Sequence, residues 1–149
     1  AVRLLLESGA SVAATTGRGC SALFVACQEG QIECAGLLLG ADAAVNQAEN
    51  DGTTPLSAAS LTGKIDCVRL MIAAGAAVNQ ADSEGFTPLY IACQESHLEC
   101  ARLLLEASAA VDQAMNDGAT PLCMACWKGH LDIARLLLEA GTAIGQADE

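Results

Sequence analysis

The chain has 149 residues, 52% of them apolar, with one Trp, one Tyr and two Phe, so it can bury a sizeable core, but one built mainly from Ala, Leu, Val and Cys. Side chains that small pack closely between short helices and leave room for at most a minor sheet. A net charge of −11 argues against a nucleic-acid backbone or an anionic lipid surface as the main partner, since like charge repels before contact, and no apolar run approaches the roughly 18 residues of a membrane span.

The first predicted element lies in Val2-Arg3-Leu4-Leu5-Leu6-Glu7, a stretch too short and too charged for a signal peptide. It reads as the second helix of a unit whose first helix is absent. From there the sequence repeats every 33 residues: Gly19, Gly52, Gly85 and Gly118 keep that step, as do Leu23, Leu56, Leu89 and Leu122, and Ala26, Ala59, Ala92 and Ala125. The triplets 37–39, 103–105 and 136–138 are all Leu in the same register, with Leu70-Met71-Ile72 in the fourth place and Leu4-Leu5-Leu6 in a fifth. The chain is thus expected to be one domain, 1–149, divided into a partial unit 1–16, units 17–48, 49–81, 82–114 and 115–147, and the start of another at 148–149.

Each unit is predicted to begin with a short helix. Thr54-Pro55, Thr87-Pro88 and Thr120-Pro121 set a capping hydroxyl before a Pro at the first helical position, where the missing N–H costs nothing. The first full unit has Ser21-Ala22-Leu23 instead, which should weaken that start. The helix is expected to run about two turns to Gly63, Ser96 or Gly129, sites suited to the left-handed conformation that ends a helix. A second helix follows from Lys64, His97 and His130, with Leu98, Ala101, Leu104 and Leu105 on one face, and should stop near Gly75 or Gly141. Val45-Asn46-Gln47, Val78-Asn79-Gln80 and Val111-Asp112-Gln113 then lead into an acidic and amide-rich loop closed by a turn.

The unit resembles the ankyrin repeat. The resemblance is carried by Asp51-Gly52-Thr53-Thr54-Pro55-Leu56-Ser57-Ala58-Ala59, Gly85-Phe86-Thr87-Pro88-Leu89-Tyr90-Ile91-Ala92 and Asp117-Gly118-Ala119-Thr120-Pro121-Leu122-Cys123-Met124-Ala125, and it covers nearly the whole chain. It implies an all-α repeat solenoid of stacked helix-turn-helix units with projecting β-hairpin-like loops, and a non-catalytic scaffold that binds a protein partner through a concave face. The His that the family places after Thr-Pro-Leu is replaced by Phe24, Ser57, Tyr90 and Cys123, so its polar contacts do not carry over. Irregularities such as Asp42, Ser96 and Ser108 at Gly positions point to a natural sequence over a consensus design. Ile133, Leu136 and Leu137 repeat the interior apolar pattern where a terminal repeat would normally turn polar, so the chain is expected to be part of a longer array, with ends prone to end-to-end self-association.

Internal symmetry separates fold from recognition, because positions alike in every copy serve the fold while differing ones are free to serve a partner. The differing positions are Arg18, Cys20, Gln28 and Glu29; Asn50, Asp51, Thr53, Leu61 and Thr62; Ser83, Glu84, Phe86, Gln94 and Glu95; and Asn116, Asp117, Ala119, Trp127 and Lys128. The resemblance implies that they line the concave groove. Leu61, Phe86 and Trp127 carry most weight, since a large apolar side chain facing solvent is costly unless something covers it. Tyr90 and Phe24 are expected on the buried side of the same helix. Glu49, Asp51, Asp82, Glu84 and Asp117 either cap their own turns or form an acidic rim for a basic partner. On the other face, Arg69, Arg102 and Arg135 follow Asp66, Glu99 and Asp132 by three residues, pairs that contribute only tenths of a kcal/mol.

The eight cysteines follow the repeat, Cys34, Cys67 and Cys100 in one register and Cys27, Cys93 and Cys126 in another, which suggests reduced core thiols and an intracellular chain, cytoplasmic or nuclear. Cys123-Met124-Ala125-Cys126 has the C-x-x-C spacing of redox pairs and zinc sites but stands alone, and Cys126 is expected to be a small buried core residue. His97 and His130 share a register suited to packing. No nucleophile with a base, phosphate loop or paired catalytic carboxylates is recognisable, so neither catalysis nor a cofactor or metal is expected. Asn46 and Asn79 match, by the resemblance, a loop Asn that is hydroxylated in some ankyrin proteins. A protein-binding module is the first reading, and a thiol-based redox sensor or metal binder the alternative.

Overall fold

The computed structural model describes residues 2–147, and the side chains of 2–141. The expected start of another unit at 148–149 lies outside the described residues. The elements are α1 (Val2–Glu7), α2 (Ala22–Glu29), α3 (Ile32–Gly40), α4 (Pro55–Leu61), α5 (Ile65–Ala73), α6 (Pro88–Gln94), α7 (Leu98–Glu106), α8 (Pro121–Lys128) and α9 (Leu131–Ala147). The first helices α2, α4, α6 and α8 stack on one another, the second helices α3, α5, α7 and α9 stack behind them, and α1 joins the second layer against α3. The molecule is an all-α repeat solenoid. Among the described residues no helix is long and apolar enough to cross a membrane.

Each first helix starts on the hydroxyl that the sequence places there. Thr54 accepts from Ser57 N and Thr87 from Tyr90 N, both at 3.1 Å, and Thr120 from Cys123 N at 3.2 Å. Ser21 accepts from Phe24 N at the same 3.1 Å, so the first full unit keeps its cap although it lacks the Pro. Such a cap contributes about 1 kcal/mol. The helices end at left-handed residues: Gly30 at φ 75, Gly63 at φ 67, Ser96 at φ 62 and Gly129 at φ 75. The chain then reverses at once, with the N–H of Gln31, Lys64, His97 and His130 returning to the carbonyls of Ala26, Ala59, Ala92 and Ala125 at 2.8 to 2.9 Å. That Ala register is at most 5% exposed, and its lack of a long side chain lets neighbouring helices approach while Leu23, Leu56, Leu89 and Leu104 fill the layer between. Burying each Leu is worth about 1.5–3 kcal/mol.

The loops form a ladder of hairpin-like turns. Glu49 N donates to Thr53 O at 2.9 Å and Asp82 N to Phe86 O at 3.1 Å, closing each turn, while Asn50 N donates to Arg18 O and Ser83 N to Asp51 O, both at 2.8 Å, joining it to the one before. Gly85 shows why this register is Gly: at φ 95, a Cβ there would sit 2.7 Å from Asn116 N. Asn46 and Asn79 brace the bases of the loops, their Oδ1 atoms accepting from Ala77 N at 2.9 Å and Ala110 N at 2.8 Å.

Two expectations about the last unit are corrected. The sequence predicts a stop of the second helix near Gly141, yet α9 continues to Ala147. Glycine permits a left-handed stop but does not impose one; in the preceding unit the chain beyond the stop is held down by burial of Val111 at 7% exposure. Ile133 and Leu137 do not form an open apolar face, being 1% and 2% exposed against α7 and α8, and the outward residues are Leu131 at 68% and Leu138 at 57%.

Candidate functional site

The loop tips and the ends of the first helices lie in parallel rows, because each unit repeats the last one's geometry. One row is Arg18, Asp51, Glu84 and Asp117 at the tips, all exposed; another is Glu29, Thr62, Glu95 and Lys128 where the first helices end. Gln28, Leu61, Gln94 and Trp127 precede the latter. Trp127 is 79% exposed although it sits within a regular helix, and Leu61 is 47% exposed. The Lys128 ammonium lies 5.9 Å from the Trp127 ring centre, at the outer reach of a cation–π contact, so indole and cation are presented together.

Phe86 differs from the expectation of an open aromatic. It is half-buried, because its ring meets Tyr90 edge-on at 5.4 Å and 78°, and Tyr90 is fully buried in α6. Phe24 is buried too, at 6% exposure. Several candidate polar residues hold neighbouring units together. Asn50 Nδ2 donates to Gly17 O at 3.1 Å and Asn116 Nδ2 to Ser83 O at 2.9 Å, each crossing to the preceding loop. Thr62 Oγ1 donates to Gln28 O at 3.0 Å, and the ring Nε2 atoms of His97 and His130 bond Leu61 O at 3.1 Å and Gln94 O at 3.0 Å. Gln94 is half-buried and donates to Glu95 Oε1 at 3.0 Å.

The acidic tips divide as their geometry dictates. Asp51 accepts from Thr53 N and Asp117 from Ala119 N, and Asp82 accepts from both Glu84 N and Phe86 N, all at 2.9 Å. The Thr53 N–H holds the Asp51 carboxyl below its ordinary value. Glu84 and Glu95 are exposed, and Ser83 and Glu29 flank the same surface. On the opposite side, Arg102 reaches Glu99 at 3.6 Å, the one ion pair among the described residues. Among these residues no group of three or more His, Cys, Asp or Glu is placed to hold a metal ion.

Cys126 corrects the sequence expectation. Cys27 and Cys93 share its register and are 0% exposed, covered by α4 and α8 respectively, whereas among the described residues no further first helix lies on α8, and both Cys123 and Cys126 are exposed. Burial pushes the Cys27 and Cys93 thiols up to about 12 and Cys100 to about 11, while hydrogen bonding from Thr120 lowers that of Cys123.

Comparison with known proteins agrees with this architecture. A family model described as ankyrin repeats (3 copies) matches residues 1–82 and again 66–148. No match is found among the curated proteins.

Proposed function

The chain belongs to the ankyrin-repeat family, whose repeats are generally non-catalytic protein–protein interaction modules, and on that premise we propose that its loop tips and first helices form one partner-binding surface. The observation that carries the reading is Trp127, an indole left 79% exposed on an ordered helix beside Lys128. Indole is among the side chains that anchor interfaces once water is excluded. Leu61 supplies a second apolar contact, Phe86 a partly covered one, and Arg18, Gln28, Glu29, Asn50, Asp51, Thr53, Ser83, Glu84, Gln94, Glu95, Asn116 and Asp117 the polar surround. The acidic excess of the chain favours a partner with a basic surface.

Affinity capture from the source cells with the native chain, Trp127→Ala and Arg69→Ala tests this. Partners held by the native chain and Arg69→Ala should be lost with Trp127→Ala, and the purified partner should bind the Trp127 variant at least about tenfold more weakly. Equal binding by all three would sink the proposal. End-to-end association of copies is proposed on separate grounds, the exposed Leu4 and Leu5 at one end and Leu131 and Leu138 at the other. Light scattering against concentration should then show mass growth, and a constant monomer mass would reject it.

A further inference from the structure

The first helices end in two rows of side chains that alternate along the array. One row reads Gln28, Leu61, Gln94 and Trp127, an amide followed each time by a large apolar side chain. The next residue of each unit reads Glu29, Thr62, Glu95 and Lys128. Leu61 and Glu95 are exposed although each has a first helix on either side, α2 and α6 for Leu61, α4 and α8 for Glu95. These registers are therefore open within the array and not only at Trp127. Glu29 and Glu95 have no ion-pair partner among the described residues. Both lie where a helix ends and its dipole is negative, so a cation is the stabilising neighbour there. The row is also held in place. Thr62 Oγ1 donates to Gln28 O at 3.0 Å, and the ring Nε2 atoms of His97 and His130 bond Leu61 O at 3.1 Å and Gln94 O at 3.0 Å, tying each helix end to the next. A surface fixed before contact loses little freedom on binding.

Packed helices lie about 8–10 Å apart, which sets the step between successive contacts along the row. A polyproline-II chain advances about 3.1 Å per residue with about three residues per turn, so every third side chain returns to the same side after about 9 Å. A β-strand returns every second side chain after about 6–7 Å and falls out of phase. We propose that the row binds a polyproline-II segment of a partner protein in which every third residue is alternately cationic and large apolar. Its cations face Glu29 and Glu95, and its apolar side chains face Leu61 and Trp127. Lys128 repels a cation at the fourth place, which fixes where the alternation begins. This names the class of partner for the surface proposed above and rests on that reading.

The test uses the full chain and fluorescein-labelled synthetic peptides. The first, Lys-Pro-Pro-Leu-Pro-Pro-Lys-Pro-Pro-Leu, alternates Lys and Leu at every third residue, and the second is the same sequence reversed, since the row does not fix chain direction. The third, Lys-Pro-Leu-Pro-Lys-Pro-Leu-Pro-Pro-Pro, has the same composition with the alternation at every second residue. By anisotropy the first or the second should bind at least about tenfold more tightly than the third, with a parallel change in Trp127 emission. Leu61→Gln should weaken that peptide at least about fivefold, and Glu95→Gln should weaken it and flatten its salt dependence. Arg69→Ala, on the second helices, should leave binding within about twofold. Thermal melts of the variants should match the native chain, because Leu61 and Glu95 are exposed. Equal binding of all three peptides, or none by any at millimolar concentration, overturns the proposal. So does an in-phase peptide that Leu61→Gln and Glu95→Gln leave unaffected. No captured partner enters these readouts, whereas the surface itself is tested by capture with Trp127→Ala, so the two failures are separate results.

Discussion

Cys93 and Trp127 show how differently two side chains of one array can matter. Cys93 is 0% exposed, and burial pushes its thiol from an ordinary 9.0 to about 12. The thiol is neutral when protonated, so the folded state holds this proton more tightly than the unfolded chain does. The stability it contributes is complete below pH 9 and is lost as pH rises toward 12. The gap in urea midpoint between the native chain and Cys93→Ala should be constant below that window and shrink within it; a constant gap throughout would contradict the burial argument. Trp127 and Tyr90 give the complementary contrast. Trp127→Ala should change stability by no more than about 0.5 kcal/mol, because the ring touches little. Tyr90→Ala empties a fully buried site and should cost about 3–5 kcal/mol.

Where the first helix ends, one register holds both Gly63 at φ 67 and Ser96 at φ 62. A non-Gly residue in the left-handed region costs about 1–2 kcal/mol, partly offset because Gly loses more freedom on folding. Ser96→Gly should therefore stabilise the chain by about 0.5 kcal/mol. Gly63→Ala should destabilise it by at least about 1 kcal/mol, since the new Cβ would lie 2.7 Å from the His97 ring and disturb its bond to Leu61 O. Paired thermal melts decide both signs. These helix boundaries were legible in the sequence because Thr-Pro and Gly act locally, through a cap or a dihedral angle. What escaped depends on neighbours. Cys126 is open where, among the described residues, no further first helix lies on α8, and Gly141 stays helical because a Gly alone does not impose a stop. Asn50 and Asn116 looked free for recognition because Ser83 interrupts their register, yet both amides tie one loop to the next. Variation among copies thus marks positions that the fold tolerates as well as positions that a partner reads.

The whole chain carries 18 acidic and 7 basic residues, leaving −11. That field repels itself, so without any partner the melting temperature should rise as salt is added and the Debye length falls from about 30 Å at 0.01 M to about 10 Å at 0.1 M. The same screening acts in opposite directions on the two proposed associations. A basic partner is steered in by the field, so its on-rate should fall, by roughly tenfold over that range if steering dominates. End-to-end stacking brings one acidic chain against another, with Leu131 and Leu138 of one copy meeting Leu4 and Leu5 of the next, so salt should promote it. Stopped-flow binding and light scattering on one salt series therefore separate the two surfaces without a mutation. A partner whose on-rate does not fall with salt would show that the acidic tips are turn caps with no part in steering, and would leave Trp127, Lys128 and Leu61 as the contacts on which affinity depends.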